Sequence, residues 1–175
     1  IDKVYGEVAP TGPDTLGMIL REPVGVVAAI VPWNFPMMIA AWKIAPALAS
    51  GNSVVVKPSE MASLTVMRMV ALALEAGLPD GVLNVVTGTG AFAGQALARS
   101  MDVDALAFTG SGGVGRQLMK YAAQSNLKRV FLELGGKSPH IVFDDCADLD
   151  KAATAVVNGI FRNAGQVCIA GSRLI

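Results

Sequence analysis

Residues 24–31 read VGVVAAIV, and residues 32–36 (PWNFP) then lead directly into an apolar run over 37–49. The first run has no charged residue and is rich in β-branched side chains, which predicts a strand covered on both faces. The uncharged stretch 24–42 is also long enough to span a membrane. Two prolines and Asn34 interrupt its middle, so we predict a buried strand, a turn and a helix in place of a membrane span.

The same alternation of strand-like and helical runs continues along the chain. Such alternation predicts right-handed crossovers and a doubly wound, mainly parallel α/β sheet. The predicted strands cover residues 24–31, 53–56, 82–86, 105–108 and 129–134, and the predicted helices cover 37–49, 63–76, 92–99 and 115–124.

The pattern divides the chain into three predicted parts. Residues 1–23 mix charges, Gly and Pro without a helical period, which predicts an extended arm or hairpin. Residues 24–134 form the α/β unit, and Gly135-Gly136 marks the predicted boundary. Residues 135–175 begin a second α/β part, with a short strand over 140–143, a helix over 149–162 and a glycine-rich stretch around Cys168.

The composition excludes several classes of protein. The 175 residues are 53% hydrophobic and 16% charged, with no formal net charge, which excludes a disordered chain. No basic excess is present, so we expect no nucleic-acid partner. Two cysteines are too few for a disulfide scaffold, which favours a reducing compartment. One histidine and scattered carboxylates do not form a metal-ligand pattern, and we expect no metal.

Residues 110–115 (GSGGVG) match the pattern G-x-G-x-x-G between a predicted strand and a predicted helix. Backbone N–H groups in such a loop can hold a pyrophosphate, and Glu133 lies where the pattern expects an acid for the ribose. However, the loop follows the fourth strand and not the first. Lys57 and Glu60, at the end of another strand, form a second candidate ribose site. The alternative is that the glycines only pack a helix on the sheet.

Three polar residues are candidates for catalysis. Small residues flank Cys168, so its thiol is either an open nucleophile or an inert, buried cysteine. Glu133 has apolar neighbours, and desolvation would raise its pKa as a general base requires; the alternative is a carboxylate satisfied by nearby N–H groups. Asn34 is either a turn residue or an oxyanion donor.

Cys146 and His140 are expected to be structural. Cys146 follows two aspartates, whose negative charge disfavours the thiolate. His140 is the single histidine, and we expect it to begin a strand.

Five segments resemble the NAD(P)-dependent aldehyde dehydrogenases, in that family's order and at its spacing. They are PWNFP at 32–36 with Trp42-Lys43, KPSE at 57–60, FTGS at 108–111, LELGGKS at 132–138 and GQVC at 165–168. The resemblance covers essentially the whole chain and leans towards the bacterial aminoaldehyde group. It implies a Rossmann-like cofactor domain followed by the start of a catalytic domain. It also implies a homo-oligomer, dimer or tetramer, that takes a small aldehyde and NAD, or alternatively NADP.

The resemblance implies a role for each candidate residue. Cys168 is the nucleophile, Glu133 the general base, and Asn34 the oxyanion donor together with the backbone N–H of Cys168. The implied cofactor contacts are Ile30, Val31, Trp33, Lys57, Glu60, Gly90, Gly110, Ser111, Val114, Gly115 and Leu134. Glu60 favours NAD because its charge repels a ribose 2′-phosphate. The chain departs from the family's pattern at Gly112, where a threonine hydroxyl is usual.

The resemblance also implies more cofactor domain before Ile1 and more catalytic domain after Ile175, including a second glutamate that holds the nicotinamide ribose. We therefore expect little or no dehydrogenase activity from these 175 residues alone. Two other functions stay open: a catalytically silent nucleotide-binding or scaffolding piece, and a relative that passes its thioester to coenzyme A. Glu133 argues against the second, because that transfer does not need an activated water.

Overall fold

The computed structural model describes residues 5–175, so residues 1–4 of the predicted arm lie outside the described residues. Two short strands open the chain and an α/β unit follows. The elements are β1 (Glu7–Ala9), β2 (Gly17–Ile19), β3 (Val26–Ile30), α1 (Pro36–Ala49), β4 (Ser53–Lys57), α2 (Leu64–Glu75), β5 (Leu83–Val85), α3 (Gln95–Arg99), β6 (Ala105–Gly110), α4 (Gly112–Ala123), β7 (Arg129–Leu134), β8 (Pro139–His140), α5 (Leu149–Phe161) and β9 (Arg173–Leu174).

Strands β3 to β7 form a parallel sheet in the order β5-β4-β3-β6-β7. This confirms the predicted doubly wound α/β fold, with β3 at its centre. Ile30 is in register with Lys57 on one side and with Phe108 on the other. The chain therefore adds strands first to one side of β3 and then to the other, which is the arrangement that creates a ligand crevice in open α/β sheets.

The core consists of two layers because successive residues of a strand point to opposite faces. Ala29 and Val31 pack with α1 and α2 on one face. Ala28 and Ile30 pack with α3 and α4 on the other face. The central strand is thus covered on both sides, as its uncharged sequence predicts.

Strand β7 does not follow that expectation. It lies at the edge of the sheet, and its residues alternate between exposed and half-buried. Leu132 and Leu134 pack on the α3–α4 side, but Phe131 and Glu133 on the opposite face are exposed. The prediction that apolar neighbours bury Glu133 is therefore wrong for the described residues: these neighbours pack on the other face of the strand.

Several predicted boundaries also shift. The predicted helix over 92–99 is a π-helical turn (Gly90–Gly94) followed by α3. Helix α4 begins at Gly112 and not at residue 115, because Ser111 caps it: the Val114 N–H donates to Ser111 Oγ over 3.4 Å. The predicted strand over 140–143 is reduced to β8, which pairs in parallel with β9.

The arm residues that the structure describes form the predicted hairpin, in which β1 and β2 pair antiparallel. Within residues 5–175, no helix combines the length and the apolar character that a membrane crossing requires. The stretch over 24–42 is instead β3, a turn and the first half of α1.

Candidate active site

The predicted cofactor residues gather at the carboxyl ends of the parallel strands. Strands β3, β4, β6 and β7 are parallel, so their carboxyl ends meet there. Ile30 is in register with Lys57, and Gly110 with Leu134. The other predicted contacts lie in the segments that directly follow these strands or β5: Val31, Trp33, Glu60, Gly90, Ser111, Val114 and Gly115.

Lys57 and Glu60 form a fixed pair at the end of β4. Lys57 is buried, with 3% of its side chain exposed, whereas half of the Glu60 side chain faces solvent. The Lys57 Nζ donates to the Pro58 carbonyl over 2.9 Å and to Glu60 Oε2 over 3.2 Å. The backbone N–H of Glu60 and the Lys57 ammonium lower the pKa of Glu60. Because an ammonium has three donors, the pair offers one more N–H beside an ionised carboxylate, a set that complements neighbouring hydroxyl groups.

The structure divides the glycine motif into two parts. The N–H groups of Gly112 and Gly113 lie in the first turn of α4, outside the intrahelical ladder, and a Cβ on Gly113 would meet nothing within 4 Å. Gly115 is different, because a Cβ there would lie 2.9 Å from Leu134 Cδ2. The N–H groups at the start of α4 are therefore open to an anion, whereas the last glycine of the motif packs α4 on β7.

Cys168 and Glu133 line the same groove, which has a volume of about 960 Å³. The groove lies between α1, the uncovered face of β6 and β7, and the loop after α5. Lys43 of α1 also lines it. Most of its other walls are apolar and include Phe35, Met38, Trp42, Phe131 and Ile169.

Lys43 places a cation near Glu133 in this apolar groove. Burial lowers the pKa of Lys43, and the carboxylate of Glu133 opposes part of that effect by attraction. The structure thus adds a half-buried cation to the Cys–Glu arrangement. In the sequence, this cation is indicated only by the position of Lys43 as the one charged residue within the helix Pro36–Ala49.

A left-handed turn presents Cys168. After α5 the backbone has φ of 52° at Asn163, 55° at Ala164 and 76° at Gly165. The turn reverses the chain so that residues 167–169 reach the groove. Cys168 is a half-buried free thiol. Cys146 is outside the groove, and its Sγ lies 3.7 Å from the Asp148 carbonyl that accepts from it.

Asn34 lies beside the nucleophile loop and is bound to it. Its side-chain Nδ2 donates to the main-chain carbonyl of Gln166 over 2.8 Å. The main-chain carbonyl of Asn34 accepts from the side-chain Nδ2 of Asn163 over 3.1 Å. The structure therefore brings Asn34 within two residues of Cys168 along the loop. The contact with Asn163 was not predicted, because the two residues are 129 positions apart.

Comparison with known proteins adds the decisive observation. The sequence model of the aldehyde dehydrogenase family matches residues 1–175. The chain belongs to the aldehyde dehydrogenase family. Among curated members, the NADP/NAD-dependent aldehyde dehydrogenase PuuC of Escherichia coli (strain K12) is 65% identical over the whole chain, which corresponds to 35% of that protein.

Solved aldehyde dehydrogenases share the fold of this chain. An indole-3-acetaldehyde dehydrogenase complexed with NAD+ gives a TM-score of 0.97 at 61% identity, and the match covers 99% of this chain and 35% of that enzyme's chain. The gamma-glutamyl-gamma-aminobutyraldehyde dehydrogenase of Burkholderia cenocepacia J2315 gives 0.96 at 62% identity with the same coverage. The chain thus spans about a third of the length of the aldehyde dehydrogenases it matches.

Proposed function

We propose that the full-length protein oxidises an aldehyde to a carboxylic acid with NAD or NADP, through a thiohemiacetal and a thioester on Cys168. One observation carries the proposal: Cys168 and Glu133 line a single groove, with Asn34 bound to the loop that holds Cys168. Family membership supports the reaction class.

The carboxyl ends of the parallel strands carry groups that suit a dinucleotide. The Lys57–Glu60 pair would hold the adenosine ribose, and the open N–H groups at the start of α4 would hold the pyrophosphate. Solved relatives include a complex with NAD+. When bound, the nicotinamide supplies a hydride acceptor. Because Glu60 repels a 2′-phosphate, we propose a preference for NAD.

Cys168 acts as the nucleophile in this proposal. Its thiolate forms a C–S bond with the aldehyde carbon, and the carbonyl oxygen becomes an oxyanion. One N–H of Asn34 is bound to the Gln166 carbonyl, which leaves the second N–H of the same amide for the oxyanion, together with the backbone N–H of Cys168. Each such donor contributes about 3–4 kcal/mol to the transition state.

Glu133 then acts on water. After loss of the hydride, the carbonyl carbon is joined to Sγ of Cys168 as a thioester. Glu133 takes a proton from a water molecule, which attacks this carbon and expels the Cys168 thiolate as the acid leaves. Exposure of Glu133 to the groove gives that water access. The cation of Lys43 lines the same groove and is attracted by the carboxylate of Glu133.

The names of the similar proteins suggest the substrate class. One is a gamma-glutamyl-gamma-aminobutyraldehyde dehydrogenase and another an aminoacetaldehyde dehydrogenase from Pseudomonas aeruginosa, 56% identical to this chain. We propose an aminoaldehyde as substrate. A screen of aldehydes with and without an amino group tests this, and a preference for plain aliphatic aldehydes would contradict it.

The hairpin is proposed as a contact between subunits. Val8, Leu16 and Met18 are each more than 60% exposed, so apolar side chains of the arm lack cover within the described chain. A second copy of the full-length protein would bury them, as exposed apolar patches of this kind indicate.

The two free thiols also agree with a reducing, cytoplasmic location.

The test compares the two cysteines in the full-length protein. Aldehyde-dependent reduction of NAD, followed by absorbance, should fall by about 10³-fold or more in Cys168→Ala. The matched variant Cys146→Ala should keep the wild-type rate. Iodoacetamide should alkylate Cys168, and aldehyde should protect it. Turnover that survives in Cys168→Ala would refute the proposal.

The two alternative functions predict different results. A silent nucleotide-binding piece binds NAD without any aldehyde-dependent reduction. A coenzyme A-acylating enzyme releases an acyl thioester and requires coenzyme A for turnover. We expect the free acid as product without coenzyme A, because Glu133 lines the groove of Cys168.

A further inference from the structure

We propose that Asn163 is a positioning residue for this oxidation and acts through Asn34. The inference rests on the proposed function, because it concerns how the oxyanion donor is held. It adds a residue that does not touch substrate, cofactor or the reacting atoms.

Asn34 and Asn163 form a reciprocal clamp between two distant segments. The side chain of Asn34 donates to the main chain of the nucleophile loop at Gln166, over 2.8 Å. The side chain of Asn163 donates back to the main chain of Asn34, over 3.1 Å. Each segment is therefore fixed to the other by one side-chain amide. Loss of either amide leaves only one of the two bonds.

The backbone explains why asparagine suits position 163. Its φ of 52° is left-handed, a region in which asparagine is enriched among residues other than glycine. Ala164 follows in the same region with φ of 55°, although its methyl group makes that conformation unfavourable. Contacts from outside the turn must therefore stabilise it, and the bond from Asn163 to Asn34 is such a contact.

The clamp determines where the second N–H of Asn34 points. The Gln166 carbonyl holds the first N–H, which fixes the plane of the amide. Asn163 holds the main chain of the same residue, which fixes the base of the side chain. Without Asn163 the amide remains present but is displaced relative to Cys168. Because removal of an oxyanion donor slows catalysis about 10²–10³-fold, we expect a smaller loss, of about 10–100-fold, when the donor is only misplaced.

The experiment uses two variants of the full-length protein that preserve the left-handed backbone. Asn163→Asp keeps the shape but replaces the donor by an acceptor, and Asn163→Gly removes the side chain. Ala164→Gly is the matched control, since it changes the same turn without removing a side-chain hydrogen bond. The readouts are the rate of NADH formation in the first turnover, the Kd for NAD and the thermal midpoint.

Both Asn163 variants should slow the first turnover about 10–100-fold, with the Kd for NAD within about twofold of wild type. Ala164→Gly should stay within about threefold in rate. In an Asn34→Ala background, Asn163→Asp should cause little further loss of rate, because the side-chain amide that Asn163 positions is already absent. First-turnover rates within threefold of wild type in both Asn163 variants would overturn the inference. An equal loss from Asn163→Asp in the two backgrounds would also overturn it.

A second measurement does not depend on activity. Hydrogen exchange should become faster in Asn163→Asp both in the turn around residues 162–168 and in residues 32–36, which the clamp joins. In Ala164→Gly the second segment should exchange as in wild type. Unchanged exchange of residues 32–36 in Asn163→Asp contradicts the clamp. If wild type reduces no NAD with any aldehyde, the proposed function fails, and this measurement still decides whether Asn163 joins the two segments.

Discussion

Replacement of Gly110 by alanine should destabilise the protein, because the end of β6 has no room for a methyl group. A Cβ at this position would lie 2.4 Å from Cζ of Phe108 and 3.0 Å and 3.3 Å from two more carbons of the ring. Ordinary contacts begin at 3.4 Å, so the ring would have to retreat by about 1 Å. Phe108 is 5% exposed and packs in the core beneath α3 and α4, where such a movement displaces other side chains.

The magnitude follows from two opposing effects. Overpacking of a close-packed core costs about 1–3 kcal/mol, and three ring contacts place this site at the upper end. Alanine restricts the unfolded chain and recovers about 0.4–1 kcal/mol. We therefore expect Gly110→Ala to lower the free energy of unfolding by about 2 kcal/mol. In a protein as long as the relatives, of which this chain covers 35%, an unfolding entropy of about 2.1 cal/mol/K per residue converts this loss into a fall of about 2 °C in the thermal midpoint.

Thermal unfolding of the full-length protein, followed by circular dichroism, measures this effect. Gly113→Ala is the matched control in the same motif, because its Cβ would meet nothing within 4 Å. Alanine is the better helix former, so this variant should be neutral or up to about 1 kcal/mol more stable. In a Phe108→Leu background the loss from Gly110→Ala should shrink. A wild-type midpoint for Gly110→Ala, or an undiminished loss in that background, would refute the steric argument.

Three further predictions concern stability and pH. Gly171→Ala should lower the thermal midpoint, since its Cβ would lie 3.0 Å from Cβ of His140, and His140→Gly, which removes that Cβ, should relieve the loss. Glu60→Gln should reduce stability by less than about 1 kcal/mol at pH 7, because Glu60 is half exposed. Because the pKa of Glu60 is lowered in the folded state, its contribution to the free energy of unfolding is complete at pH values above the ordinary glutamate pKa of about 4.3. It is lost as the pH falls through the lowered pKa of the folded state, so the midpoints of wild type and Glu60→Gln should converge at acid pH; a constant gap would contradict this. Lys43→Met should raise the midpoint at pH 7, because burial lowers the pKa of Lys43 and the folded state disfavours its charge. This increase in the midpoint should shrink as the pH rises towards the ordinary lysine pKa of about 10.4. An increase that grows with pH would be inconsistent with burial as the cause.

The sheet could be predicted from the sequence because its strands have a local signature. The strand Arg129–Leu134 has the bounds that its pattern predicts, and the order of strands and helices follows from their alternation. The edge position of β7 is a property of the assembled sheet. Glu133 has the same apolar neighbours in sequence whether or not a helix covers its face, so its exposure could not be deduced from them.

The candidate site could be predicted in its members but not in its contacts. Cys168, Glu133 and Asn34 stand out by their local context and by the resemblance to a known family. Asn163 donates to a main-chain group 129 residues away. Lys43 reaches the groove only because α1 packs on β3 and β4, across the groove from the uncovered face of β6 and β7. Such long-range contacts depend on the packing of elements, which periodicity and composition do not encode.

The most direct test of the central claim is the stoichiometry of the first turnover in Glu133→Gln of the full-length protein. If Cys168 forms a thioester and Glu133 activates the water that removes it, mixing with aldehyde and NAD should give about one equivalent of NADH per active site, followed by slow turnover. Mass spectrometry of the quenched protein should then find the acyl group on the peptide that contains Cys168. Sustained wild-type turnover without an acyl adduct on Cys168 would contradict the account, and so would a normal steady state accompanied only by weaker binding of NAD.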